Sequence, residues 1–171
     1  VGVRGERGLG LAEETGCIGD IDLLCGTFGK ALASVGAYVV CDRVIKEYLV
    51  NRMRTLIFTT ALPPLNMAWT LFVMERLSGF KGQRERLQRH SAQFRQALQA
   101  KGFGTPSESH IVPFIVGQAA DAVLKAEDMR RKGFYVLPIR PPTVPEGTSR
   151  LRFSLTAGLT DEDMDRLCDS I

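Results

Sequence analysis

"CGTFGKALASVG", residues 25–36, sets one lysine, Lys30, among glycines and small side chains, directly after the apolar run Ile21-Asp22-Leu23-Leu24. A lysine on a solvated surface needs no such clearance. One that must reach a bulky bound group past closely lying backbone does. The Gly29-Lys30 pair invites comparison with a phosphate-binding P-loop, whose pattern places four residues between its glycines and Ser or Thr after the lysine. Here Gly26 and Gly29 enclose only Thr27 and Phe28, and Ala31 follows, so spacing rules that reading out. A Schiff-base lysine needs a small-residue approach, a nearby hydroxyl for a phosphate, and surroundings that favour the neutral amine. Thr27, three residues before Lys30, supplies a hydroxyl on the same loop. A glycine-flanked lysine in an ordinary turn is the competing reading of these residues.

Composition bounds the rest. The chain has 171 residues, 44% hydrophobic and 24% charged, the balance of a globular protein with a core. Its 22 Lys and Arg are nearly offset by 19 Asp and Glu, leaving a net charge of +3 with no block of like charge. That balance argues against a nucleic-acid binder. No apolar run approaches the length of a membrane span, and the opening Val1-Gly2-Val3-Arg4-Gly5 lacks the apolar core of a signal peptide. Cys17, Cys25, Cys41 and Cys168 form no C-x-x-C pair, so neither a structural zinc site, nor any other metal site, nor a disulfide framework is expected. The reducing cytoplasm is the expected compartment. The chain opens without an initiator Met on a glycine-studded loop, "VGVRGERGLG", which reads as the middle of a domain.

Patterning gives an α/β first part and an α+β second part. Ile21–Cys25 and Ala37–Asp42 read as neighbouring strands, Asp42 as the N-cap of a helix, and Leu56–Pro64 as extended. Leu65–Leu77 has apolar residues at helical spacing, Met67, Leu71, Met74 and Leu77, with the methionines read as core. Gly79–Gly82 is the expected boundary, dividing residues 1–80 from 81–171. Beyond it Gln83–Lys101 reads as a helix whose Arg84, Arg86, Arg89 and Arg95 decorate a solvated face. His110–Gly117, Phe134–Ile139 and Ser149–Ala157 read as strands, the last by strict alternation. Between them lies a helix, 119–132, stopped by Gly133, and a last helix starts at Thr160. His90, on a polar helix face, and His110, at a strand start, read as structural.

Three separated motifs carry a resemblance that runs over essentially the whole chain: "TFGKA" at 27–31, "IFTTALPP" from Ile57, and "IRPPTVPEGTSRLRFSLTA" from Ile139. Together, in this order and with these gaps, the chain resembles the α-oxoamine synthases. These are fold-type I pyridoxal phosphate enzymes that join an amino acid to an acyl thioester with loss of CO2. The resemblance implies the C-terminal part of that fold: the end of an aspartate aminotransferase-like large domain over 1–80 and the small α+β domain over 81–171. It implies that Lys30 holds the pyridoxal 5′-phosphate and moves protons at the substrate's α-carbon, and that Thr27 binds the cofactor phosphate. Thr59 and Thr60 would reach the phosphate of a second subunit's cofactor, giving a homodimer with a shared site. Arg152 would hold the amino-acid carboxylate, with Arg150 its decoy two residues earlier. Thr143 would touch substrate near the acyl entry, with Arg140 a candidate for the same region. The Pro141–Pro145 and Arg150-Leu151-Arg152 stretch is most similar to members that use L-alanine and a pimeloyl thioester, ahead of members that use glycine.

The family also carries an Asp-x-x-His segment, which would fall just before Val1, and a ring-stacking histidine further upstream. Its aspartate keeps the cofactor's ring nitrogen protonated, so the 171 residues alone are expected to show little or no turnover. A non-catalytic product that keeps the small domain for dimerisation is the alternative of a different class.

Overall fold

The computed structural model describes residues 1–171, which divide into two compact units, Val1–Arg84 and Glu85–Ile171. The first unit holds a single helical turn, α1 (Leu11–Glu14), and a hairpin of β1 (Leu23–Thr27) and β2 (Ala37–Cys41). Helices α2 (Arg43–Arg52), α3 (Arg54–Ile57) and α4 (Pro64–Arg76) follow. The two strands pair antiparallel, from Leu23 opposite Cys41 to Thr27 opposite Ala37. Asp42 occupies the N-cap of α2 without a side-chain capping bond.

Two expectations fail in this unit. Leu56 and Ile57 lie in α3, and Thr59 to Pro63 are irregular, not extended. The β-rich composition has no strand to pair with, since β1 and β2 bond only each other, and Pro63 and Pro64 bring no N–H to a ladder. Local helical bonds, Ile57 N–H to Met53 O and Phe58 N–H to Arg54 O, satisfy the backbone instead. Met67 and Met74 are not core either: α4 buries no residue and Met67 is 59% exposed, whereas Leu77, the last residue of the same periodic set, is buried just beyond the helix. Pro64 sits in the first turn of α4, where its missing N–H costs nothing.

Helix α5 (Lys81–Ala100) runs across the division. The second unit continues with β3 (Ile111–Gly117), α6 (Ala119–Arg131), β4 (Leu137–Ile139), β5 (Ser149–Ser154) and α7 (Asp161–Ser170). The sheet has the order β3-β5-β4, antiparallel throughout. Alternation along β5 sends Ser149, Leu151 and Phe153 inward and leaves Arg150, Arg152 and Ser154 on the other face. The inner face meets α5, where the Phe94 and Phe153 rings lie 4.7 Å apart; Leu98, Met129 and Met164 complete a fully buried core. Gly133 ends α6 with φ +91°, a conformation L side chains avoid, while Phe134 N–H returns to Met129 O. The third strand is shorter than the expected 134–139: the chain leaves that left-handed turn before pairing, and Pro138 cannot donate to the ladder.

The polar face read along α5 is partly buried. Arg84, 8% exposed, caps the end of α4 and the turn after it, donating to Leu77 O (2.7 Å) and Ser78 O (3.2 Å), and it also donates to Glu6 O. His90 is fully buried, its Nε2–H donating to Asp161 Oδ1 at 2.7 Å, and Arg89 reaches the same oxygen at 2.7 Å. Thr160 and Asp163 form a reciprocal capping box beside this contact. The His90 and Arg89 bonds hold the Asp161 carboxyl down at about 2, from an ordinary 3.8. A folded-state value below the unfolded one adds stability that is complete above the unfolded value and fades as pH falls through the folded one. The stability difference between wild type and Asp161→Asn, followed by denaturant titration, is therefore expected to be full above pH 3.8 and to vanish as the pH approaches about 2. A difference independent of pH over that range would show that the carboxylate's charge is not what holds α7 to α5.

Candidate active site

Lys30 lies on the Phe28–Gly36 loop joining β1 to β2. The loop is closed by Phe28 N–H to Gly36 O (3.0 Å), Ser34 N–H to Phe28 O (3.0 Å) and Ala33 N–H to Lys30 O (3.0 Å). Three contacts root it: Trp69 Nε1–H donates to Ala33 O (2.9 Å), the Ser34 and Thr70 hydroxyls are 2.7 Å apart, and Leu32 is buried. The backbone beneath Lys30 is thus fixed to α4, while the Lys30 side chain is exposed and makes no hydrogen bond or ion pair. Thr27, at the end of β1, is exposed with its hydroxyl likewise unengaged. The small residue at Gly26 has an internal cause: a Cβ there would lie 2.3 Å from the Tyr38 ring directly across the hairpin, and Tyr38 packs against Phe28 with ring centroids 5.2 Å apart. That clearance serves the hairpin itself. At Gly29 a Cβ would meet only Ser34 O at 3.6 Å, an ordinary contact. Thr59 and Thr60 are exposed in the segment after α3, with neither side chain hydrogen-bonded.

The second unit carries a cleft of about 420 Å³ on the outer face of its sheet. Arg150 and Arg152 project into it, joined by the hydroxyls of Ser107, Ser109 and Thr143. Arg152 is paired across the sheet with Pro113 and Leu137, and Arg150 with Ile115 and Ile139, so each guanidinium rises between apolar neighbours. Arg152 has no hydrogen-bond partner; Arg150 donates only from Nε, to Thr148 O at 2.9 Å. Arg140, exposed just after β4, does not line the cleft. The structure thus brings Thr143 and Arg152 together and adds three groups: Arg150, read from sequence as the decoy, and Ser107 and Ser109, not anticipated from sequence. Strand alternation signals one of them, since i and i+2 share a face; nothing local signals Ser107 and Ser109. No group of His, Cys, Asp and Glu is placed to hold a metal ion.

An unengaged amine on an anchored loop, with a hydroxyl three residues before it at the end of β1, fits the aldehyde and phosphate of a pyridoxal cofactor, and an unneutralised arginine fits a carboxylate. Comparison with known proteins agrees with that chemistry. The aminotransferase class I and II family matches residues 3–171, and the chain belongs to that family. A putative 8-amino-7-oxononanoate synthase of Haemophilus influenzae (strain 86-028NP) is 56% identical over 164 residues, 96% of this chain and 43% of the relative. The 8-amino-7-oxononanoate synthase of Haemophilus ducreyi is 55% identical over 98% of this chain and 43% of its own length. Among solved structures, Sphingomonas wittichii serine palmitoyltransferase superposes with a TM-score of 0.93 at 31% identity, over 99% of this chain and 43% of that one. The Francisella tularensis 8-amino-7-oxononanoate synthase gives 0.84 at 28% identity, over 99% and 50%. The chain therefore spans less than half the length of the curated relatives it matches. The resemblance to the α-oxoamine synthases holds, and the architecture is part of the fold-type I arrangement. Serine palmitoyltransferases among the matching solved structures, 31% identical to this chain, hold pyridoxal 5′-phosphate. No helix is long and apolar enough to cross a membrane.

Proposed function

We propose that this chain supplies the lysine and the carboxylate-binding arginine of an 8-amino-7-oxononanoate synthase. That enzyme condenses L-alanine with pimeloyl-CoA, or the pimeloyl carrier-protein thioester, releasing CO2 and the free thiol. The observation that carries the reading is the identity of 55–56% to proteins of that name over nearly the whole chain. When bound, pyridoxal 5′-phosphate supplies an electron sink for the amino acid's α-carbon. Lys30 Nζ would hold the cofactor's aldehyde carbon, and the same amine would take the amino acid's α-proton and later return one. Thr27 donates its hydroxyl to the phosphate. Arg152 offers a planar two-pronged guanidinium to the alanine carboxylate, which fixes the α-carbon's orientation. Thr143, and less directly Arg140, meet the acyl donor. Thr59 and Thr60 serve the phosphate of a second subunit, making the working unit a homodimer in the cytoplasm. In this reading the large domain ends near residue 80 and the small domain begins at 81. The 171 residues alone turn over little or nothing.

The test is a chimera in which these 171 residues replace the matching part of the Haemophilus ducreyi enzyme. Thiol release dependent on L-alanine and pimeloyl-CoA is the expected result. A chimera that prefers glycine with a short acyl-CoA overturns the substrate assignment.

A further inference from the structure

We propose that the cleft of the second unit is a two-carboxylate site, in which Arg150 receives the carboxylate at the far end of a dicarboxylic acyl chain. The inference deepens the synthase reading and rests on it for the identity of the acyl group. The physical case lies in the cleft itself.

Both guanidiniums stand on one face of the central strand, two residues apart, so they rise from points about 6.6 Å from each other. Neither has a carboxylate within ion-pair distance; several other arginines, such as Arg86 and Arg140, also lack one, but Arg150 and Arg152 are the two that share one cleft. Two adjacent like charges left unneutralised repel, and a cleft that tolerates this is poised for a ligand bringing two negative charges. The arginines are also held differently. Arg152 is exposed and unengaged. Arg150 is half-buried and tethered through Nε to Thr148 O, which fixes its direction and leaves its four terminal N–H groups to donate.

Position separates their roles. Arg150 pairs with Ile139, the last residue of β4, whereas Arg152 pairs with Leu137, further from that end. Ile139 leads into the loop carrying Thr143, so Arg150 lies on the side of the cleft that this loop closes. Between the polar groups the walls are Ile111, Pro113, Ile139 and Val144, a surface that suits methylenes and does nothing for a short polar acyl group. Charge at both ends with apolar wall between them is the complement of an alkyl diacid.

The test uses the 171-residue chain without cofactor or thioester, titrated with pimelate and with heptanoate, which has the same carbon count and one carboxylate. Binding is followed by the NMR signals of the arginine Nε–H groups and the strand amides. The expected result is that pimelate binds about tenfold more tightly than heptanoate, the scale of one hydrogen-bonded charge pair. Arg150→Met brings that ratio near one with the heptanoate affinity and the melting temperature unchanged, and Arg150→Lys keeps part of it. A ratio unaltered by Arg150→Met overturns the proposal. So does the absence of any arginine shift with pimelate, or a shift of Arg150 by 4′-phosphopantetheine and not by pimelate, which would move the second anion to the donor's phosphate. If the diacid preference depends on Arg150 but the chimera prefers glycine and a short acyl-CoA, the site stands and the substrate assignment falls.

Discussion

Borohydride reduction of the Lys30→Ala chain after incubation with pyridoxal 5′-phosphate is expected to leave the peptide spanning position 30 without a pyridoxyl mass, whereas wild type carries one there. Selectivity has a structural basis. Of the six lysines, Lys81 pairs with Glu6, Lys101 donates to the carbonyls of Cys168 and Ile171, Lys132 pairs with Asp128, and Lys125 lies over the Phe114 ring. Lys30 and Lys46 alone are unengaged. Lys46, exposed on α2, is the internal control: equally free, but with no threonine hydroxyl three residues before it and no anchored loop beneath it. If Lys46 is modified as heavily as Lys30, the amine at position 30 has no special claim on the cofactor. If Lys30→Ala keeps the adduct at some other single lysine, the assignment has simply named the wrong residue.

Phe94→Ala is expected to remove about 3–5 kcal/mol of stability, the usual loss for a large aromatic cut from a packed core. Phe94 is fully buried against Phe153, and the ring pair adds to the lost area. Domains of this size hold about 5–15 kcal/mol in all, so the variant sits near the edge of folding, with a melting temperature lower by more than about 10 °C. Phe103 makes a comparable ring contact, 4.6 Å from Phe114, but is 41% exposed. Phe103→Ala should therefore cost clearly less. Equal shifts in calorimetry would mean that the core of the second unit is not centred between α5 and β5.

The second unit was the more legible in sequence, because its rules are local and its strands and helices bury their apolar faces on one another. Alternation placed β5 and both of its arginines; Gly133 and Thr160 marked a helix end and a helix start. In the first unit periodicity reported that α4 has an apolar stripe, with Met67, Leu71 and Met74 on it, but not whether anything covers it. The run at Leu56–Thr60 has strand composition, yet composition cannot supply a pairing partner. Sequence alone reads Arg84 as solvated and His90 as structural but on a polar face; His90 is structural and buried, and the distant contacts at Asp161 and, for Arg84, Glu6 lie beyond any local window. For the site, the motif around Lys30 was legible and the cause of its glycines was not: Gly26 is small for Tyr38, a cross-strand neighbour visible only in the folded register. Alternation alone could not rank Arg150 and Arg152, because a strand presents both to the same side; only the resemblance puts Arg152 first.

The bond from the Trp69 indole to Ala33 has a practical corollary. The chain has one tryptophan, and that residue grips the backbone three positions past Lys30. Its emission is thus a native optical gauge of a single turn of polypeptide, readable without labels, and the arrival of an absorbing ring at the neighbouring amine should register as quenched fluorescence long before any product is assayed.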